Sequence, residues 1–279
     1  MSSNILSSES LKSAKPEEPK IVTNLRGIRS KIMVMSGKGG VGKSTVSANL
    51  AAFLARKGKK VGLLDGDIHG PTIPTMFGIE DQRPTVGEKG IEPVKVSENL
   101  KVMSIGLLLD NQDSPIVWRG PAKMAAIKQF LEEVDWGVLD YLIIDLPPGT
   151  GDEPLSIVQL IGKVDGSVVV TTPQDVALTS VRKSLKFADM LNVPVIGLVE
   201  NMSGVICPDC GKEIDIFGRG SIEKAAEDFN IKILAALPIE PEISATSDAG
   251  KVYVEEMDSK WSKGFDDIVD AVENFTNKK

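Results

Sequence analysis

Cysteine and histidine are almost missing from this chain, which has two cysteines and one histidine among 279 residues. So few cysteines exclude a disulfide-stapled scaffold. The lone His69 leaves a serine or cysteine hydrolase triad without a credible base and is better read as a packing or hydrogen-bonding loop residue. No apolar run approaches ~18 residues, so no spanning helix is expected. The first residues, Met1 to Ser7, lack the apolar core of a secretory leader, and a cytoplasmic location is the expectation. An excess of positive charge is missing too: 32 basic residues against 39 acidic ones give a net charge of −7. That balance argues against nucleic acid or an anionic membrane as the main partner. Internal repeats and low-complexity tracts are also absent.

What remains is ordinary for a globular protein, with 42% hydrophobic and 25% charged residues. The length suits one large α/β domain with a well-buried core. Residues 1–25, rich in Ser, Lys, Glu and Pro, read as a flexible tail, and residues 26–279 as the domain. From Lys31 onward, apolar runs alternate with helical patterns. Strands are expected at Lys31–Met35, Lys60–Leu64, Leu100–Ile105, Tyr141–Ile144, Gly166–Thr171, Val193–Val199 and Ile231–Ala235. Their near-continuous Val, Ile and Leu content suits a mostly parallel sheet with helices on both faces. Trp261, Phe265, Ile268, Val269, Val272 and Phe275 form an apolar stripe on a last helix, opposite Asp266, Asp267, Asp270 and Glu273. Core packing explains that stripe better than a membrane surface, which calls for Lys and Arg on the polar face.

The most specific motif is Gly37-Lys38-Gly39-Gly40-Val41-Gly42-Lys43-Ser44-Thr45, between an apolar run and a helical pattern. Strand, glycine-rich turn and helix start come in the order a phosphate-binding loop requires. The nucleotide contacts expected here are Gly39, Gly40, Val41, Gly42, Lys43, Ser44 and Thr45. Lys43 would reach the β- and γ-phosphates of ATP, and Ser44 would hold Mg²⁺. Lys38 is not needed for that cradle. Its reach at the mouth of the site suits neutralising transition-state charge, as an arginine finger does.

Two acidic strand ends complete the nucleotide reading. Asp65 and Asp67 follow Val61–Leu64 in i, i+2 register, which would place both on one face at the carboxyl edge. One would serve the Mg²⁺ shell, the other the attacking water. Tyr141–Ile144 runs into Asp145, read as a Walker B carboxylate that holds a water on Mg²⁺. In the Pro147-Pro148-Gly149 turn, the Gly149 N–H is placed to sense the γ-phosphate.

Cys207 and Cys210 form a Cys-Pro-Asp-Cys element within a loop near 201–217. Metal binding, thiol redox chemistry and an inert pair all remain open for a bare C-x-x-C. Two thiolates cannot complete a tetrahedral zinc site or a four-iron cluster, each of which usually takes four ligands. A twofold dimer would complete the set.

The Lys38-bearing loop, Asp65-Gly66-Asp67 and Asp145-Leu146-Pro147-Pro148-Gly149 resemble the deviant-Walker-A ATPases, among them MinD, ParA, the nitrogenase iron protein and Mrp/ApbC-type proteins. Asp65-Gly66-Asp67-Ile68-His69-Gly70-Pro71, Trp118-Arg119-Gly120-Pro121 and Glu200-Asn201-Met202-Ser203 with the Cys-Pro-Asp-Cys element narrow the resemblance to the Mrp/ApbC iron–sulfur carriers. The resemblance implies a single P-loop NTPase domain and a homodimer in which Lys38 crosses to the partner's nucleotide. It implies that Asp67 activates water and that Asn201 contacts adenine. Leu237-Pro238-Ile239-Glu240-Pro241 resembles a second base-recognition loop, bringing in Pro238 and Glu240. It further implies an ATPase that assembles a [4Fe–4S] cluster across the dimer and transfers it to apo iron–sulfur proteins. Some members carry a cysteine-rich N-terminal segment for another cluster; the 1–25 segment has no cysteine. Two alternatives stay open, a MinD/ParA-type spatial-organisation ATPase and a zinc-bridged regulatory ATPase.

Overall fold

In a computed structural model of the chain, residues 21, 24–68, 70–108, 120–207, 210–216, 218, 221–252 and 260–278 are described. Most of the expected 1–25 tail, together with His69, Trp118, Arg119, Pro208 and Asp209, lies outside them. Ile21 and Leu25 do not fit a flexible tail: both are buried among the core side chains, so packed structure begins before residue 26.

The strands are β1 (Ile28–Met35), β2 (Val61–Asp65), β3 (Thr85–Val86), β4 (Ile91–Glu92), β5 (Val94–Lys95) and β6 (Leu100–Ser104). Next come β7 (Leu139–Asp145), β8 (Gly166–Thr171), β9 (Val195–Ile206), β10 (Glu213–Ile214) and β11 (Ile233–Ile239). The main sheet has the order β10-β9-β8-β1-β7-β2-β6-β5, with β11 also paired to β9. Its pairings are parallel except β5 with β6 and β10 with β9. The helices are α1 (Lys43–Arg56), α2 (Ile73–Met76), α3 (Gly120–Glu133), α4 (Asp152–Ile161), α5 (Asp175–Met190), α6 (Ser221–Phe229), α7 (Pro241–Asp248) and α8 (Lys260–Asn277).

The period of two along β1 sorts its side chains onto two cores. Ile32 and Val34 pack with α1 and α8, while Met33 and Met35 pack with α3, α4, α5 and α6. The sheet is covered on both faces, which is why its strands lack polar alternation. The α8 stripe behaves as core. Trp261, Phe265, Ile268, Val269 and Val272 are buried, and Phe265 lies 5.3 Å from the Phe53 ring and 4.3 Å from the Trp261 ring. On its outer side, Asp270 and Glu273 pair with Lys57 at 2.7 and 3.3 Å. No helix among the described residues is long and apolar enough to cross a membrane.

Three expectations need correction. β9 runs seven residues beyond Val199, to Ile206. β11 lies at Ile233–Ile239 rather than Ile231–Ala235, so Leu237, Pro238 and Ile239 are strand and not loop. Pro238 is tolerated because the register with β9 slips between Leu237 and Ile239, where a ladder N–H is not required. Finally, β2 stops at Asp65, so Asp65 and Asp67 do not share a strand face.

Candidate functional site

β1 brings Ser36 to the carboxyl edge of the sheet, and Gly37–Gly42 turn back into α1. Gly40 and Gly42 hold φ at +74° and +81°, values open to glycine and costly for other residues. The Gly37 Cα lies so close to the Ser180 backbone carbonyl that a Cβ has no room. No side chain caps α1 at Gly42, which leaves its first N–H groups and the helix dipole available to an anion. Ser36 Oγ donates to Lys38 O at 2.9 Å and braces the loop from inside.

Asp145 is the hub beneath the loop. Lys43 Nζ lies 2.6 Å from its Oδ1, Ser44 Oγ donates to Oδ2 at 2.7 Å, and Ser47 Oγ donates to Oδ1 at 2.6 Å. Asp65 stands beside Asp145 in the β2–β7 register and accepts from Ser104 Oγ at 2.9 Å and from the Asp67 N–H at 3.1 Å. It is fully buried against an apolar wall that includes Ile68, Ile105 and Ile127. Burial first, and the Asp145 charge second, push its carboxyl up to about 8, against the opposing pull of Ser104, the Asp67 amide and Lys43.

Asp67 is half-buried and accepts from the Gly70 N–H at 3.3 Å. It lines an open cleft of about 950 Å³ with Gly70, Pro147, Pro148, Asp152 and Glu153. Gly149 takes φ of +91°, and its N–H is engaged, donating to Ser36 O at 2.9 Å. Lys38 does not hang in solvent: its Nζ donates to Gln174 Oε1 at 2.9 Å, just ahead of α5 in the same chain. Val41 is buried and its carbonyl accepts from Asn201 Nδ2 at 2.9 Å. Glu240 precedes α7 as its cap residue, and its Oε1 accepts from the Trp261 N–H at 3.3 Å. The structure thus brings Lys43, Ser44, Asp65 and Asp145 into one cluster and sets Asn201 against the loop, with Glu240 at the start of α8. Ser47, Ser104 and Gln174 join the site without having been singled out in the sequence.

The cysteines occupy the tip of a hairpin formed where β9 runs on past its last pair with β8 and β10 returns beside it. Val205 and Ile206 pair with Ile214 and Glu213, the Cys207 N–H donates to Lys212 O, and the Gly211 N–H donates to Cys207 O. Cys207 is half-buried, Cys210 is exposed, and neither is in a disulfide.

A covered parallel sheet, a glycine loop between its central strand and a helix, and carboxylates at the ends of two neighbouring strands define a P-loop nucleotide-binding protein. Residues 27–273 match the ParA family, described as NUBPL iron-transfer P-loop NTPase, and the chain belongs to that family. It is 50% identical over 264 residues to the iron-sulfur cluster carrier protein of Methanocaldococcus jannaschii, covering 94% of this chain and 91% of that one. The protein of the same name from Saccharolobus solfataricus is 49% identical over 254 residues, 91% of this chain and 86% of its own. A solved nucleotide-binding protein from Archaeoglobus fulgidus, in complex with ADP and with cobalt, matches with a TM-score of 0.77 at 42% identity, over 88% of this chain and 96% of that chain. The cell division ATPase MinD of Pyrococcus furiosus shares the fold, with a TM-score of 0.65 at 23% identity over 88% of this chain and 98% of its own.

Proposed function

We propose that this protein is an ATP-hydrolysing carrier that assembles a [4Fe–4S] cluster between two copies of itself and delivers it to apo-proteins in the cytoplasm. The hairpin tip carries the reading: Cys207 and Cys210 lie together at the turn after β9, in no disulfide, with Cys210 exposed. Among the described residues no group of three or more His, Cys, Asp or Glu could hold a metal. Two thiolates are half of the set a four-iron cluster takes, and a twofold partner supplies the same two again. A cluster held so near the surface is suited to being passed on. The archaeal relatives named as iron–sulfur cluster carriers support this reading.

At the nucleotide end, Gly39 to Thr45 cradle the ATP phosphates through backbone N–H groups, and Lys43 exchanges Asp145 for the β- and γ-phosphates. Ser44, Asp65 and Asp145 present an all-oxygen donor set, which fits Mg²⁺. When bound, the ion neutralises phosphate charge. Asp67, at the edge of the cleft, orients the attacking water. Gly149 reports the γ-phosphate by giving up its bond to Ser36. Lys38 leaves Gln174 to reach the partner's nucleotide, and Asn201, Pro238 and Glu240 attend the adenine.

Anaerobic reconstitution with iron and sulfide tests the reading. About four irons and four sulfides should bind per pair of chains, with thiolate-to-iron absorbance that is lost in a Cys207→Ala, Cys210→Ala double variant. A double variant that keeps its iron overturns the assignment. So does freshly isolated protein that holds zinc and no sulfide.

A further inference from the structure

One strand joins the two ends of the proposed cycle, and it is irregular between them. Along β9, Asn201 lies opposite Leu237 of β11, and Val205 lies opposite Ile239. Four steps on β9 therefore match two on β11, so the segment Met202–Gly204 carries two extra residues and bulges from the ladder. Bulges bend a strand and re-aim the residues beyond them. Beyond this bulge lies the arm Val205–Ile206, which leads into Cys207.

Met202 sits in this bulge with φ of +60°. The other described non-glycine residues with positive φ are Asn192 and Asn230, and asparagine tolerates that region where most side chains do not. Such a conformation persists only where the surroundings hold it, and it gathers at switch regions. The holding bond is on the phosphate-binding loop, which both side chains face. Asn201 Nδ2 donates to Val41 O, and its amide occupies the space a Cβ on Gly42 would take. Met202 Cε lies 3.9 Å from that same Cβ position. On the far side the chain is committed to the β9–β10 hairpin by the Val205–Ile214 and Ile206–Glu213 pairs.

We infer that the Asn201–Gly204 bulge transmits nucleotide occupancy of the loop to the cysteine hairpin, with Met202 as its positioning residue. The inference rests on reading the loop and the cysteine pair as the nucleotide and metal sites, and it names how one regulates the other. The Val41–Gly42 backbone, which Asn201 holds and the Met202 side chain faces, is the backbone a phosphate chain must settle against. A shift there changes what holds Met202 in its left-handed conformation. The bulge then re-aims the arm that carries Cys207 and, six residues from Asn201, alters how the thiols are presented.

The test uses metal-free full-length protein, so it does not depend on cluster binding. Labelling of Cys207 and Cys210 by a thiol reagent is timed with and without a saturating non-hydrolysable ATP analogue and Mg²⁺, saturation being set by titration for each variant. Wild type should change its labelling rate by about threefold or more, as expected of a ligand that shifts a two-state element. Met202→Gly, which relaxes the backbone and removes the side chain that faces Gly42, should cut that change to less than about 1.5-fold. Met202→Asn keeps the left-handed backbone and replaces only the side chain that faces Gly42, and it should show the same loss. Thermal melts identify which variant remains folded if one does not. A folded variant with the full wild-type response overturns the inference, as does a wild type whose labelling ignores nucleotide. Nucleotide-dependent labelling in a protein that cannot be loaded with iron would sink the carrier reading and leave this coupling standing.

Discussion

Asp65 shows how much of the site's chemistry depends on one buried side chain. Its carboxyl is raised to about 8 by burial and by the neighbouring Asp145 charge, against about 4 in an unfolded chain. Between those values the folded protein holds a proton that the unfolded chain has released. Stability is therefore greatest below the unfolded value and is lost as pH rises through the folded one. The slope approaches about 1.4 kcal/mol per pH unit. Urea unfolding of protein without nucleotide or Mg²⁺ should show stability falling from pH 5 to pH 8, and Asp65→Asn should flatten that fall by close to one proton. Equal slopes in the two proteins would remove Asp65 as the source. The glycine turn at Gly40 and Gly42 and the cluster of Lys43, Ser44 and Asp145 beneath it are legible in the sequence, because chemistry restricts residue type there at fixed spacing. Ser104 was not, because its bond to Asp65 comes from the β2–β6 register, which sets the two side by side. Gln174 was not, because its contact with Lys38 spans 136 positions of sequence.

At the scale of elements, apolar content decided what could be read. Strands buried on both faces announce themselves, and so does a helix with a stripe as strong as that of α8. The last part of β9 was hidden because Glu200, Asn201 and Ser203 break the apolar run, and Asn201 is turned to the glycine-rich loop. α7 was hidden because it has no buried residue, hence no stripe. The α8 stripe carries its own prediction. Trp261 is 1% exposed and stacks near Phe265, which stacks in turn on Phe53 of α1. Truncating it leaves a cavity between α8 and the sheet, and Trp261→Ala should cost about 3–5 kcal/mol in denaturant unfolding. Asp270→Asn on the outer face should cost no more than about 1 kcal/mol, since its pair with Lys57 is solvent-exposed. A Trp261→Ala protein as stable as its parent would mean that α8 is a detachable surface for a partner and no part of the core.

The whole molecule is governed by a shortage and a surplus: two cysteine thiols per chain, and seven excess negative charges. If the cluster needs four thiolates, the loaded species is a pair of chains, and its population must follow mass action. Loading per chain then depends on protein concentration, which it would not in a single chain with a complete ligand set. Pairing also brings two acidic bodies together, and their repulsion is screened by salt over a Debye length of about 8 Å at physiological ionic strength. Anaerobically loaded protein, diluted about a hundredfold in the presence of an iron chelator, should lose its thiolate-to-iron absorbance as its mass falls from twice 29.9 kDa to 29.9 kDa. Raising sodium chloride from low to physiological levels should keep more of the cluster in place at the same dilution, because like charges are then shielded while the iron–sulfur bonds are not. A cluster retained equally at every dilution, or one carried by a species of single-chain mass, would require ligands from within one chain, and the pairing of the two hairpins would have no part in holding it.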